Sequence, residues 1–98
     1  MFTYWHVEFS PKAAKQVAKL NKKVVLVVQA LVENLLTFGP APGRSWPNYG
    51  KLQGSAQENK RHCHLIKGKP TYVCCWRVYK AEKLIEVYYV GTHENAPY

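Results

Sequence analysis

The sequence predicts an α+β domain: an N-terminal strand, a two-helix hairpin, and a mainly antiparallel four-stranded sheet on which the hairpin packs. Three observations predict it. FTYWHVEF (residues 2–9) is rich in aromatic and β-branched types, as strands are. Two stretches with helical hydrophobic spacing follow directly. Three strand-like runs separated by short turns then fill residues 60–90. Helices and strands that cluster in separate runs, rather than alternating, belong to folds with helices on one sheet face.

Each element carries its own signals. Ser10-Pro11 opens the first helix: serine caps a helix N-terminus, and proline in the first turn gives up an N–H that had no partner. Ala14, Val17 and Ala18, with Leu20, predict its packed face, and Lys12, Lys15 and Lys19 its solvated one. Asn21 caps a second helix, KKVVLVVQALVENLLTF. There Val24, Leu31 and Leu35 form a stripe widened by Val27, Val28 and Leu36. Gly39 and Pro40 end it. GPAPGRSWPNYG (39–50) is a loop. Strands are expected at Lys60–Lys67, Thr71–Tyr79 and Leu84–Val90, with turns at Gly68–Pro70 and Lys80–Lys83.

The 98 residues suit a single domain, 1–98, with one core. A 47% hydrophobic content excludes a disordered chain. The longest apolar block, Val24–Val28, is too short to span a bilayer, so no membrane role is expected. The start MFTYWHVEF lacks the basic and apolar segments of a secretory leader, which predicts a cytoplasmic protein. Fourteen Lys and Arg against six acidic residues give +8, a balance that favours an anionic partner.

Chemistry concentrates in HCHLIKGKPTYVCCW (62–76). Side chains alternate along a strand. Tyr72, Cys74, Trp76 and Val78 therefore share the bulkier, helix-covered face, and Val73, Cys75 and Arg77 the other. Cys63 and Leu65 face the helices, while His62 and His64 stand roughly 6–7 Å apart on the open face. Arg61 falls on the face opposite His62. Zinc would need about four converging ligands. His62, His64 and Cys75 supply three at most, so neither metal nor other cofactor is expected. The adjacent Cys74 and Cys75 cannot easily pair, and Cys63 could face one of them across a hairpin. Reduced cysteines acting as small apolar residues are the better reading for a cytosolic chain.

Several pieces of the chain resemble the RelE/ParE superfamily of bacterial toxins from toxin–antitoxin systems. These are Phe9-Ser10-Pro11-Lys12-Ala13 ending the first strand, the helical hairpin, Lys51-Leu52-Gln53-Gly54, the meander, and the ending Val90-Gly91-Thr92-His93-Glu94-Asn95-Ala96-Pro97-Tyr98. The most specific are Lys-Leu-x-Gly and Val-Gly-x-His with a tyrosine after it. RelE-like members cut mRNA in the ribosomal A site, without metal. ParE-like members act on DNA gyrase. Both are neutralised by an antitoxin with an acidic or amphipathic segment. The resemblance thus implies, as partners, an antitoxin together with the ribosome and mRNA.

Carried over position by position, it places His62 and His64 where RelE-type toxins have basic residues, His93 after the Val-Gly, and Tyr98 as the C-terminal tyrosine. Glu94 is a further candidate. Where such toxins carry an arginine early in the next strand, this chain has Val73. Metal-free RNA cleavage needs a base for the 2′-OH, a cation for the charged transition state and an acid for the leaving 5′-oxygen. Histidine suits the first and last. Lys51, Lys60, Arg61, Lys67, Lys69 and Arg77 are the candidate RNA contacts. Two other readings stay open: a ParE-like gyrase inhibitor, and a non-catalytic relative that only binds an antitoxin.

Overall fold

The computed structural model describes residues 5–43, 45–52 and 59–98. The chain folds in the order β1 (His6–Phe9), α1 (Pro11–Ala18), α2 (Lys22–Phe38), β2 (Gly50–Lys51), β3 (Lys60–Ile66), β4 (Tyr72–Tyr79), β5 (Leu84–Thr92), then a 3₁₀ turn (His93–Asn95). Phe2 to Tyr4, expected to begin the first strand, and Gln53 and Gly54 of the Lys-Leu-x-Gly motif lie outside the described residues.

The helix signals act as expected. The Ala13 amide donates to Ser10 Oγ (3.1 Å), and the Val24 amide to Asn21 Oδ1 (3.0 Å). Gly39 closes α2 at a φ of 86°, and its amide donates to Leu35 O. A β-carbon there would lie 2.7 Å from Trp5 Nε1, so glycine is required on two counts.

Val24, Val28, Leu31 and Leu35 of α2 are buried. Fully burying each leucine stabilises by about 1.5–3 kcal/mol. In α1 the packed face differs from expectation. Ala13 is its buried residue, with Gln16, Val17 and Leu20 half-buried, while Ala14 and Ala18 are exposed. The stripe is shifted by one residue because a polar side chain belongs to it. Gln16 turns inward to accept from the Val90 amide (2.9 Å).

The sheet has five strands rather than four, in the order β1-β5-β4-β3-β2. β1 runs parallel to β5, and the remaining pairs are antiparallel. The extra strand is the end of the long loop, where Gly50 and Lys51 pair with His62 and Arg61. Two residues are too few for alternation to announce a strand.

The loop before it packs on the helix side. Trp46 Nε1 donates to Asn34 Oδ1 (2.8 Å), Trp76 Nε1 donates to Pro40 O (3.2 Å), and Tyr49 stacks on Trp76. Cys63, Leu65, Cys74, Trp76 and Val78 join the helices in the main core, as alternation predicts. Among the described residues no helix is long and apolar enough to cross a membrane.

Candidate functional site

The sheet face away from the helices is not bare. Val73 and Cys75 are fully buried there, beneath Tyr88, Tyr89 and Ala96. Two local features make this cover. The β4–β5 register shifts between Cys75↔Tyr89 and Trp76↔Val87. Tyr88 is the extra residue, so neighbours Tyr88 and Tyr89 both reach the same face. The chain end then folds back over the sheet. The His93 amide donates to Thr71 O (2.8 Å) and Ala96 packs on Val73 and Cys75. Tyr89 fixes the bend by donating its hydroxyl to Thr92 O (2.7 Å).

This return brings four rings together. His62 and His64 project from β3 with centroids 6.2 Å apart. His93 meets His64 edge-on at 5.4 Å, Tyr98 lies 4.7 Å from His62, and Tyr98 and His93 are 6.0 Å apart. His62, His64, His93 and Tyr98 thus form one continuous cluster from two segments distant in sequence, β3 and the C-terminal end. The cluster borders an open groove of about 610 Å³ lined by His64, Lys69, Pro70, Thr71, Thr92 and Glu94, among others.

Burial is the main influence on the two β3 histidines. It lowers the pKa of His62, with the Gly50 backbone pulling the other way and nearby His93 adding to the lowering. It lowers that of His64 too, reinforced by His93, His62 and Lys67. Both are held toward the neutral, proton-accepting form. His62 Nδ1 is buried with no hydrogen-bond partner among the described residues. Burial raises the pKa of Tyr98, which keeps its proton at neutral pH. It also pushes the Cys75 and Cys63 thiols up to about 12 and Cys74 well above its ordinary value. Cys75, the register partner of His62, is therefore a buried thiol rather than a thiolate donor. All three cysteines are free. Among the described residues no group of three or more His, Cys, Asp or Glu is placed to hold a metal ion.

The basic candidates separate into groups. Lys67 and Lys69 are exposed on the β3–β4 turn at the groove end. Lys51 is exposed on the edge strand β2. Lys60 and Arg77, opposite each other in register, occupy the far end of the same face. Arg61 is not brought to this surface at all. It is 5% exposed, and its Nη1 has no partner among the described residues. Sequence reasoning missed Thr71, Thr92 and Pro70 in the groove wall, and it missed Tyr88. The doubled tyrosine at 88–89 was the available signal, since a pair of like aromatics breaks strict alternation.

No protein-family model and no curated protein matches the sequence. Solved structures do. An E. coli RelE toxin mutant in the free state superposes with a TM-score of 0.74 at 19% identity, covering 96% of this chain and 88% of that one. The archaeal RelE–RelB complex from Pyrococcus horikoshii gives 0.69 at 17% identity, covering 94% and 98%. The RelBE2 toxin–antitoxin complex of Mycobacterium tuberculosis gives 0.66 at 16% identity, covering 93% and 100%. The fold is that of the RelE toxins.

Proposed function

We propose that this chain is the toxin of a toxin–antitoxin pair and that it cleaves mRNA on the ribosome. The observation that carries the reading is the convergence of His62, His64, His93 and Tyr98 beside a groove in a protein of charge +8. The RelE-like fold supports it, and the two complexes named above support an antitoxin as partner.

In this reading His64, held neutral, takes the proton of a 2′-hydroxyl. That oxygen attacks the adjacent phosphorus, forming the O2′–P bond while the P–O5′ bond breaks. His93 supplies the proton that the leaving 5′-oxygen takes up, and the products are a 2′,3′-cyclic phosphate and a 5′-hydroxyl. Lys67 and Lys69 offset the charge on the phosphate, and Lys51 holds the strand. His62 and Tyr98 flank the pair. Tyr98 offers a ring on which an unpaired base can stack. Glu94, exposed on the groove wall, accepts a hydrogen bond from the substrate.

The test is a cell-free translation system programmed with one mRNA, with 5′ ends mapped by primer extension. Cuts are expected that require ribosomes and fall about 10²–10⁴-fold in His64→Ala and in His93→Ala. Intact mRNA with blocked gyrase supercoiling would replace this reading with a gyrase inhibitor.

A further inference from the structure

A second group of side chains lies on the same face, one step along the strands from the histidines. Lys60 and Arg77 are register partners on β3 and β4, and His62 and Cys75 are the next pair of matching parity. Tyr88 stands between the two cations. Lys60 Nζ lies 5.3 Å and Arg77 Cζ 5.4 Å from its ring centroid. Its hydroxyl is buried beside the Cys75 thiol, a weak acceptor at best, and has no other partner among the described residues.

Arg77 is held from two sides. Its Nη1 donates to the Tyr79 hydroxyl (3.2 Å) and sits 3.6 Å from Glu86, yet the side chain is still 37% exposed. Two cations thus share one ring, and one carboxylate stands beside Arg77, which leaves positive charge in excess at this spot. A guanidinium held at one terminal nitrogen, with over a third of its side chain open, still has N–H donors to offer a phosphate oxygen.

We propose that Lys60, Arg77 and Tyr88 form a second phosphate subsite, which holds the RNA strand one or two nucleotides from the bond that the histidines address. This deepens the reading above and rests on it for the identity of the ligand. Lys60 is four residues from His64, about 13 Å along β3 at ~3.3 Å per residue. Lys67 and Lys69 lie beyond His64 on the opposite side. The cations therefore flank the histidines at both ends of one track, and a strand lying along β3 is gripped on each side of the cluster. The ring of Tyr88 keeps Lys60 and Arg77 near each other at reduced mutual repulsion, because each is attracted to its face.

The Arg77–Glu86 pair makes the test decisive. Isotope-labelled protein is titrated with a non-cleavable 2′-O-methyl hexanucleotide at low salt, and amide shifts are followed by NMR. Shifts are expected at residues 60, 77 and 88 together with 64 and 93. Arg77→Gln should weaken binding roughly tenfold and flatten the slope of log K against log salt by about 0.7. Glu86→Gln should tighten binding by about threefold, since it releases Arg77 from a competing carboxylate.

Opposite signs, together with shifts at residues 60, 77 and 88, identify a ligand at this spot. If the pair were merely structural, breaking it from either side would act in the same direction. Shifts confined to the histidine end, same-sign effects, or an acidic peptide that binds the three residues as tightly as RNA would each overturn the subsite. Ribosome-dependent cleavage measured in parallel separates the two claims. Cleavage without opposite-signed binding effects leaves the nuclease reading and removes the subsite. Opposite-signed effects without cleavage do the reverse.

Discussion

Gly91 has an extended backbone within β5 that asks nothing special of its dihedrals, so its identity must come from space. A β-carbon there would lie 2.7 Å from the Tyr89 hydroxyl oxygen and 3.0 Å from the ring carbon that bears it. Real β-carbons do not approach that closely, so Gly91→Ala must push the Tyr89 side chain aside. That side chain is 7% exposed, covers Val73 and Cys75, and holds the chain reversal through its bond to Thr92 O. Overpacking costs about 1–3 kcal/mol, and losing the bond about 0.5–1.5 kcal/mol.

Gly91→Ala is thus expected to destabilise by about 2–4 kcal/mol, read by urea unfolding. Tyr89→Phe alone should cost about 1 kcal/mol through the lost hydrogen bond. In the double variant the nearest clashing atom is gone, so the combined loss should fall short of the two single losses by about 1 kcal/mol. Because His93 and Tyr98 follow the same reversal, Gly91→Ala should also disperse the histidine ring signals by NMR. A Gly91→Ala protein within ~0.5 kcal/mol of the parent, or losses that simply add, would refute this account of the Val-Gly-x-His motif.

Two further outcomes are expected. His62 and His64 have lowered pKa values, so between those values and about 6.5 the unfolded chain binds more protons than the folded one. Their contribution to stability is then complete above pH ~6.5 and is lost as pH falls below it. The urea midpoint should drop through this window, and less steeply in His62→Gln/His64→Gln; cleavage should persist at pH ~6.5 and decline only at lower pH, where the folded-state His64 takes up its proton. The thiols should be silent: at pH 8 a disulfide-exchange reagent should modify none of Cys63, Cys74 and Cys75 in the native protein and all of them in guanidinium, and one fast native thiol would contradict their burial.

Most of the scaffold was legible because its signals are local. Ser10-Pro11, Asn21 and Gly39 set helix ends through one or two hydrogen bonds each, and these form with whatever the chain packs against. Strand parity was equally informative. It put Cys63, Cys74 and Trp76 under the helices, and His62 and His64 on the far side.

The misses share a cause, which is contact between residues far apart in sequence. Gln16 stands outside the apolar stripe, and only the Val90 amide, 74 residues away, gives its side chain a partner on the inner side. Parity along β5 fails at Tyr88 because a bulge is a property of two strands, not one. Parity also says which face a residue occupies but not what covers it, so Val73 and Cys75 looked open. The chain's own end buries them. Of the candidate site, the four rings were nameable from sequence. Their spacing, and the separation of Lys60 and Arg77 from Lys67 and Lys69, came only with the fold.

That burial also explains the departure at Val73. The resemblance read from the sequence implies an arginine early in the strand that is β4 here, and the position holds Val73. In this chain the position is fully buried, paired to His64 and Gly91, and packed with Tyr89 beneath the returning C-terminus. A charge placed there without a partner would carry a desolvation cost of several kcal/mol. The arrangement that delivers His93 to His64 is therefore the same one that closes position 73 to arginine. Positive charge has to enter from outside the covered patch. The β3–β4 turn is the nearest source, since Lys69 lines the groove and Lys67 acts on His64. A lysine ammonium is a mobile point charge where arginine is a rigid fork. Under the proposed mechanism, phosphate orientation then falls to contacts further along the strand, and rate depends more on the imidazoles than on the cation.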